Sequence, residues 1–378
     1  MNETRPVREG EEIDRERLCV YLAARLDAPS REIEVTQFPA GSSNLTYLIR
    51  LGGAGQTQSD SLRSDDRGRT EFVLRRPPHG NTVRSAHDMR REFDVLSKLS
   101  KVYEPAPKSL LFCEDEAVIG SEFYLMERRR GLIIRGKIPG MHDDWPHTPA
   151  GTLRSDGLRP NEMCRAFVEN LARLHRLDPR QAGLESLGRA DGYNRRQVEG
   201  WTKRYLAARV SDVPELERAI IWLHGNIPSE SGSSLIHNDY KFDNIMLDPL
   251  DLTRITAVLD WEMVTIGDPL MDLGTTLGYW MSKDAGDEML GMPFNPRVLM
   301  ENVSRQELVE IYATSCGRPL PDMLFYYVFG TFKIAVIAQQ IYARFVNGST
   351  RDPRFARFDQ FVAALGRISN SAIESEQI

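Results

Sequence analysis

The pattern of apolar and polar positions divides the chain into two parts with different predicted secondary structure. Between residues 33 and 127, short β-rich runs alternate with turn residues, as is typical of strands. The runs at 34–38 and 45–50 flank a segment of small residues and predict a β-hairpin with a permissive turn. Further strands are predicted at residues 72–75, 118–119 and 122–127. One helix is predicted at 84–99, from apolar residues spaced by three and four positions.

After about residue 131 the apolar spacing becomes helical. Helices are predicted at residues 161–177, 195–208 and 215–223, and from the end of a short β-rich patch to about 368. That patch comprises residues 234–237, 245–247 and 255–259. The longest apolar segment, residues 323–345, contains Lys333, Gln339, Gln340 and Arg344, which a membrane span would normally exclude. It therefore predicts a buried core helix.

These patterns predict an α+β protein with two lobes. A small N-terminal antiparallel β lobe with one helix is expected at residues 31–130, preceded by a helical extension at residues 1–30. A larger, mainly helical C-terminal lobe is expected at residues 131–370. The predicted hinge covers residues 126–131, and a cleft between lobes is the usual place for a ligand.

Composition narrows the class of protein. The 378 residues are 41% hydrophobic and 27% charged, as in ordinary globular proteins. A formal net charge of −6 provides no overall attraction to nucleic acid or to anionic membranes. The four cysteines are widely scattered, and the first 17 residues contain no apolar run typical of a signal peptide. We therefore expect a cytoplasmic protein with free thiols and no nucleic-acid or membrane partner. The sequence does not indicate an oligomeric state.

The candidate chemistry centres on residues 237–244, with the sequence HNDYKFDN. Asp239 precedes Asn244 by five positions, which is the spacing of a kinase catalytic loop, and Asp260 follows a short apolar run. A carboxylate at Asp239 could accept the proton of a hydroxyl group. Asn244 and Asp260 offer the oxygen ligands that Mg²⁺ prefers. For Asp239 alone, capping of a turn is the better interpretation, but the three residues together favour phosphoryl transfer.

Other candidates each have a functional and a structural interpretation. His237 either fixes the loop or acts as a nucleophile, and Lys241 either neutralises a transferred phosphoryl group or is a solvated surface lysine. The hairpin turn could cover a phosphate or be only a turn; it consists of Gly41, Ser42, Ser43 and Asn44. No P-loop motif occurs, and no Gly-x-Gly-x-x-Gly follows a strand, which argues against P-loop and Rossmann nucleotide sites.

On these motifs the chain resembles the aminoglycoside phosphotransferase family, which has the protein-kinase-like fold. It is most similar to bacterial phosphotransferases that resemble the kinase-like domain fused to some acyl-CoA dehydrogenases. The resemblance is carried by residues 237–244, 259–262 and 267–274, with weaker matches at 72–77, 123–127 and 193–201.

The resemblance implies roles for individual residues. Asp239 is the implied catalytic base, and Asn244 and Asp260 are the implied magnesium ligands. Asp272 resembles the aspartate that accepts backbone N–H bonds from the catalytic loop, and Asp268 either does the same or faces substrate. Many family members have glycine where this chain has Asn238, a residue type that tolerates unusual backbone angles.

The nucleotide-binding residues implied by the resemblance lie in the first lobe. Met126 and Glu127 fall where the hinge binds adenine through backbone groups. Arg75 stands where kinases carry a phosphate-binding lysine, and it could pair with Glu92 of the next helix. Arg75 and Glu92 could instead be ordinary surface charges.

The expected function is an ATP-dependent, Mg²⁺-assisted transfer of the γ-phosphoryl group to a hydroxyl of a small molecule. Arginines in the helical lobe favour an anionic acceptor, such as a phosphorylated or CoA-linked hydroxy compound; they are Arg195, Arg196, Arg204 and Arg344. Two alternatives remain. Arg75 in place of lysine suggests a non-catalytic nucleotide-binding regulator. A protein kinase is disfavoured because only seven residues separate Asp260 from Asp268, too few for an activation segment.

Overall fold

The computed structural model describes residues 3–26, 32–39, 44–52, 69–78, 88–136, 159–281, 285, 289, 292, 294–317 and 319–378. The chain divides into two compact units, Met1–Arg130 and Gly131–Ile378. Of the predicted phosphate-covering turn, Gly41, Ser42 and Ser43 lie outside the described residues, and only Asn44 is described.

The first unit contains a five-stranded, fully antiparallel sheet in the order β1-β2-β3-β5-β4. Its strands are β1 Ile33–Gln37, β2 Leu45–Leu51, β3 Thr70–Arg76, β4 Ser109–Cys113 and β5 Phe123–Glu127. Among the described residues of this unit, two helices accompany the sheet, α1 Arg15–Ala23 and α2 Met89–Leu99. The predicted antiparallel β lobe with a helix between its strands is confirmed.

One strand prediction in this unit is wrong. Val118 and Ile119 lie in a turn between β4 and β5, not in a strand, and the sequence pattern missed β4. Both side chains are buried in the hydrophobic cluster beneath the sheet. Their apolar character therefore reflects burial from a turn, which a short run cannot distinguish from a strand.

The N-terminal extension is part of the core of the first unit. Leu18 and Leu22 of α1 are buried in the same cluster as the sheet residues. Arg76, at the end of β3, is fully buried and donates from Nη2 to the carbonyl of Glu11 at 2.8 Å and to the hydroxyl of Tyr47 at 3.0 Å. These bonds fix the segment before α1 to the sheet.

The second unit is mainly helical, as predicted. The helices of its described part are α3 Pro160–His175, α4 Tyr193–Ala208, α5 Pro214–Gly225, α6 Pro269–Gly278, α7 Arg297–Asn302, α8 Arg305–Cys316, α9 Leu324–Val346 and α10 Phe358–Ser375. The predicted β-rich patch forms two antiparallel ladders, one pairing β6 Ser234–Ile236 with β9 Thr265–Gly267 and the other β7 Ile245–Asp248 with β8 Asp251–Val258.

Helix α9 occupies the centre of the second unit. Among the described helices it is the one long and apolar enough to cross a membrane, but 83% of its most apolar 18-residue window is buried inside the protein. This burial supports the interpretation as a core helix. It crosses α6 through two glycines: a Cβ on Gly330 would lie 2.1 Å from the carbonyl oxygen of Gly274, and one on Gly274 would lie 2.2 Å from that of Tyr326. Any side chain at either position would push the helices apart.

Candidate active site

The loop after β6 has an unusual backbone turn. Asn238 has φ of 68°, in the left-handed region that glycine adopts most easily and asparagine tolerates. A short 3₁₀ turn, Phe242–Asn244, follows and leads directly into β7. Asn238 therefore takes a backbone conformation that usually calls for glycine. We call residues 237–244 the catalytic loop, after the role that the sequence predicts for them.

Asp272 binds the backbone of the catalytic loop. Its Oδ2 accepts the N–H of His237 and its Oδ1 accepts the N–H of Asn238, both at 2.7 Å. His175 Nε2 lies 3.1 Å from Oδ2. Burial alone would raise the pKa of Asp272, but the hydrogen bond and charge of His175 and the backbone donors hold it below the usual carboxyl value. The residue is therefore a buried carboxylate that fixes the loop, in the position that the sequence resemblance implied.

Asp268 has a different role from Asp272. It caps the start of α6 by accepting the N–H of Leu270 at 2.9 Å. Its Oδ2 also accepts bonds at 3.0 Å from the N–H of Ser231 and from Nδ2 of Asn194. These contacts join α6, α4 and the segment before β6. Asp268 thus supports the scaffold around the catalytic loop.

The carboxylate of Asp239 is surrounded by donors. Tyr279 OH donates to Oδ1 at 2.7 Å, Asn244 Nδ2 donates to Oδ2 at 2.9 Å, and the ammonium of Lys241 forms an ion pair with Oδ2. Burial would raise the pKa of Asp239, but Lys241 and Tyr279 hold it below its usual value. Asp239 is therefore ionised at neutral pH, and its donors fix the orientation of its oxygens.

Lys241 is a buried cation. Burial would lower its pKa, but the charge and hydrogen bond of Asp239 raise it above the usual lysine value. Its Nζ also lies 5.0 Å from the centre of the Tyr279 ring. The interpretation as a solvated surface lysine is excluded by this burial, and Lys241 presents a permanent positive charge next to Asp239.

His237 is a neutral structural residue of the catalytic loop. It is fully buried, and burial lowers its pKa below the usual histidine value. Nδ1 accepts the N–H of Asp239 at 3.2 Å, so Nε2 carries the proton and donates to the carbonyl of Leu259 at 3.0 Å. With both ring nitrogens engaged, His237 joins the loop to the end of β8, which favours its structural interpretation over a nucleophile.

The two candidate magnesium ligands lie at the open end of the β7–β8 ladder. Leu259 donates its N–H to the carbonyl of Asn244 at 2.8 Å, which brings Asp260 next to Asn244. The backbone of Asp260 lies in the left-handed region, with φ of 65°. Because Nδ2 of Asn244 donates to Asp239, its amide oxygen is the atom suited to a metal.

Asn244 and Asp260 suit a Mg²⁺ site that is completed by water and substrate phosphates. They do not form a metal site made entirely of protein ligands. Within the described ranges, no three His, Cys, Asp or Glu side chains converge to hold a metal. Mg²⁺ usually keeps several waters and takes only one or two protein ligands together with substrate phosphates. One carboxylate and one amide oxygen are therefore a sufficient protein contribution to such a site.

The nucleotide-binding candidates lie in the first unit. Arg75 of β3 and Glu92 of α2 form an ion pair, and their side chains are only 10% and 2% exposed. The alternative of ordinary surface charges is therefore excluded. Tyr124 lies opposite Arg75 in the β3–β5 ladder, and burial and Glu92 raise the pKa of its hydroxyl.

The remaining predicted residues of this unit have structural contacts. Glu127 Oε1 accepts the N–H of Lys108 and Nε of Arg129, both at 2.8 Å, so its side chain fixes the end of β5. Met126 is buried in the same strand, and Asn44 is buried at the start of β2.

Among the residues that contact the catalytic loop, Tyr279 and Lys333 were not predicted as site residues. Tyr279 follows α6 directly and binds Asp239. Lys333 of α9 donates to the carbonyl of Asn238 at 2.7 Å. Each lies far from the loop in sequence. The one signal for Lys333 was a charge inside an apolar core helix, which requires a buried partner.

The profile of the phosphotransferase enzyme family (APH) matches residues 34–292 of the chain. Among curated proteins, the chain is 33% identical over 352 residues to acyl-CoA dehydrogenase family member 11 of Gallus gallus, covering 92% of this chain and 41% of that protein. It is 33% identical over 358 residues to family member 10 of Mus musculus, covering 91% of this chain and 30% of that protein. The chain thus spans less than half the length of these relatives.

Among solved structures, a Ralstonia eutropha JMP134 protein assigned as an aminoglycoside phosphotransferase is 26% identical, with a TM-score of 0.72 over 94% of this chain and 97% of that one. Choline kinase of Cryptosporidium parvum Iowa II is 13% identical, with a TM-score of 0.58 over 91% and 90%. A thermostable mutant of aminoglycoside phosphotransferase APH(4)-Ia, in ternary complex with AMP-PNP and hygromycin B, is 14% identical, with a TM-score of 0.53 over 92% and 98%. The last two likenesses show the fold alone, and the predicted protein-kinase-like fold is confirmed.

Proposed function

Because this chain belongs to the phosphotransferase enzyme family, we propose that it transfers the γ-phosphoryl group of ATP to a hydroxyl of a small molecule. Phosphotransferase activity follows from the family. We propose in addition that the donor is ATP, that the metal is Mg²⁺ and that the acceptor is a hydroxyl group. The observation that carries it is the carboxylate of Asp239, which is ionised and oriented by Tyr279, Asn244 and Lys241.

Asp239 accepts the proton of the acceptor hydroxyl as the hydroxyl oxygen bonds to the γ-phosphorus. The bond from that phosphorus to the β–γ bridging oxygen breaks, ADP leaves, and the proton passes from Asp239 to solvent. A carboxylate with a low pKa suits this reaction because phosphoryl transfer has a loose transition state that places little demand on base strength. Lys241 places a positive charge next to Asp239. This charge would stabilise the negative charge on the transferred phosphoryl group.

Asn244 and Asp260 are the proposed Mg²⁺ ligands. An ion held by these two residues would neutralise negative charge on the nucleotide phosphates. Arg75, oriented by its ion pair with Glu92, is proposed to hold a phosphate of the nucleotide. Backbone groups of Met126 and Glu127 are proposed to bind adenine, except the N–H of Glu127, which donates to the carbonyl of Lys108 at 2.9 Å. The AMP-PNP complex of the related APH(4)-Ia supports the choice of ATP.

The acceptor is proposed only as a small-molecule alcohol. Two of the arginines that favoured an anionic acceptor are engaged elsewhere: Arg196 donates to the backbone carbonyls of Arg189 and Asp191, and Arg204 stacks on Trp201 at 4.6 Å. These contacts reduce the support for an anionic acceptor. Hydroxyacyl-CoA compounds still belong among the acceptors to test, because the curated relatives carry acyl-CoA dehydrogenase names.

The decisive experiment measures ADP release and phosphorylated product with the purified chain, ATP and Mg²⁺, across sugars, aminoglycosides, choline and hydroxyacyl-CoA compounds. With the acceptor that is turned over, Asp239→Asn should lower kcat by about 100-fold or more while nucleotide binding is retained. Asp248→Asn, at the far end of β7, is the matched control and should keep full activity.

An Asp239→Asn variant as active as the wild type would show that the catalytic assignment is wrong. ATP binding without turnover of any acceptor would favour the non-catalytic regulator. Transfer of label from ATP to a protein mixture, rather than to the small molecules, would favour a protein kinase.

A further inference from the structure

Lys333 places a charged group in the core of the second unit. It lies on α9 among apolar residues and is 2% exposed. Its Nζ donates to the carbonyl of Asn238 at 2.7 Å and lies 3.4 Å from Oδ1 of the same residue. Burying an ammonium group costs free energy unless the group is well paired. A lysine at this position is therefore expected to have a role that an apolar side chain could not fill.

The partner of Lys333 is the left-handed residue that precedes the catalytic base. Asn238 is held by several elements at once. Its N–H donates to Asp272, its side-chain oxygen accepts the hydroxyl of Tyr193 at 3.3 Å, and its Nδ2 donates to the carbonyl of Met263 at 3.0 Å. Lys333 holds the carbonyl, and this carbonyl belongs to the peptide group that joins Asn238 to Asp239.

We propose that Lys333 is a positioning residue of the phosphotransferase: its ammonium fixes the Asn238–Asp239 peptide and thereby the orientation of the Asp239 carboxylate. The inference rests on the proposed role of Asp239. Asp272 fixes the peptides before Asn238, and Lys333 fixes the peptide after it. The left-handed turn is thus held on both sides, from α6 and from α9.

The same geometry makes this support dependent on pH. Burial lowers the pKa of Lys333 to about 8. The nearby charges are those of Asp272 on α6 and Asp239 on the loop, which favour the ammonium, and those of Lys241 on the loop and Arg204 on α4, which oppose it. The uncharged ring of Trp201 on α4 lies 5.7 Å from Nζ. As pH rises through about 8, the ammonium loses its proton and its bond to Asn238 weakens.

Tyr279, Lys241 and His237 do not account for a transition in this range. Burial and Asp239 raise the pKa of the Tyr279 hydroxyl well above its usual value. Burial would lower the pKa of Lys241, but its pairing with Asp239 raises it. Burial lowers that of His237. Loss of a kcat decrease near pH 8 in Lys333→Gln would assign that decrease to Lys333.

The test compares wild type, Lys333→Met, Lys333→Gln and the control Lys203→Met, which removes an exposed lysine from α4. We expect Lys333→Met to lower kcat by about tenfold or more, with KM for ATP within about twofold of wild type. Lys333→Gln retains an uncharged donor, so its kcat should be intermediate and should not decrease near pH 8. Lys203→Met should match wild type in both kcat and pH profile.

A kcat of Lys333→Met within about twofold of wild type, or a decrease near pH 8 that persists in Lys333→Gln, would overturn the inference. Hydrogen exchange of the catalytic loop, measured by mass spectrometry, provides a readout without catalysis. Wild-type protection of this segment, corrected for intrinsic rates, should decrease between about pH 7 and pH 9. If the wild type transfers no phosphoryl group but shows this decrease, the proposed function fails and the role of Lys333 in the loop stands. If protection is unchanged across this range, the role of Lys333 fails.

Discussion

Tyr279 donates a 2.7 Å hydrogen bond to Oδ1 of Asp239 from the end of the helix whose first turn contains Asp272. The helix α6 thus acts on the catalytic loop twice. Asp272 holds the loop backbone, and Tyr279 orients the side chain that the backbone carries. A single rigid element therefore sets both the position of Asp239 and the direction of its carboxylate.

Tyr279→Phe removes one of the donors that lower the pKa of Asp239. Burial acts to raise this pKa, and Lys241 and Tyr279 oppose it, so loss of the hydroxyl should raise it. Since catalysis needs the carboxylate, the acidic limb of kcat/KM should move to higher pH. At neutral pH kcat should decrease by about two- to tenfold. Steady-state rates across acidic pH measure this. The control Tyr342→Phe on α9 should not change the dependence of kcat/KM on pH. If Tyr279→Phe also leaves this dependence unchanged, the role of the Tyr279 hydroxyl is refuted.

Asp272→Asn should destabilise the protein strongly. An amide can accept only one of the two loop N–H groups and turns a donor toward the other, while the charge that faces His175 is lost. Breaking such a buried network costs about 3–5 kcal/mol. Urea unfolding followed by circular dichroism at neutral pH measures the loss, with Asp359→Asn on the exposed side of α10 as control. A loss no larger than that of the control would contradict the assignment.

The stabilisation by Asp272 should also depend on pH. Burial raises and His175 and the backbone donors lower its pKa, with a net decrease in the folded state. A carboxyl group with a lowered folded-state pKa stabilises fully above its unfolded pKa, and this contribution disappears as pH falls through the folded-state value. The difference in unfolding free energy between wild type and Asp272→Asn should therefore be largest at neutral pH and narrow below the usual carboxyl range.

Two variants separate the charge of Arg75 from its shape at the proposed phosphate site. Arg75→Lys keeps the positive charge but changes the shape of the side chain, and Arg75→Met removes the charge. Lysine keeps a cation for Glu92, so KM for ATP should stay within about threefold of wild type. Methionine leaves Glu92 buried without that charge and should raise KM for ATP by about tenfold or more, with a stability loss of about 3 kcal/mol. ATP titrations and urea unfolding measure both effects. Arg90→Lys, an exposed arginine of α2, is the control, and equal KM values in all three variants would exclude Arg75 from nucleotide binding.

Asp260→Asn should raise the Mg²⁺ concentration needed for half-maximal rate and lower kcat by about 100-fold. Asparagine tolerates the left-handed backbone of Asp260, so the substitution removes the charge without straining the turn. Rates measured against Mg²⁺ concentration, after removal of metal with a chelator, give the result. A wild-type Mg²⁺ dependence in this variant would show that Asp260 is not a ligand.

Spacing along the chain predicted the parts of the site that are close together in sequence, and the family resemblance added Asp272, which is 34 positions from Asn238. Asp239, Asn244 and Asp260 lie within one loop and one hairpin, so their spacing identified them. His237 and Lys241 were also found, but only their burial in the structure decides between their two interpretations. The wrong strand at Val118 and Ile119 has the same origin, because a local pattern reports apolarity and not the shape of the backbone.

The residues that the sequence did not identify act across long separations. Tyr279 is 40 positions from Asp239, and Lys333 is 95 positions from Asn238. No local period relates such pairs. Their meeting depends on how α6 and α9 pack, which the sequence pattern alone does not fix.

The contact between Gly274 and Gly330 has a consequence for the order of events during synthesis. It lets α9 approach α6 closely, and α9 supplies the ammonium that fixes the peptide before Asp239. The ribosome makes Lys333 long after it has made the catalytic loop, so an unfinished chain contains the catalytic residues without the bond from α9. Phosphoryl transfer should therefore begin only when this late helix has docked on α6.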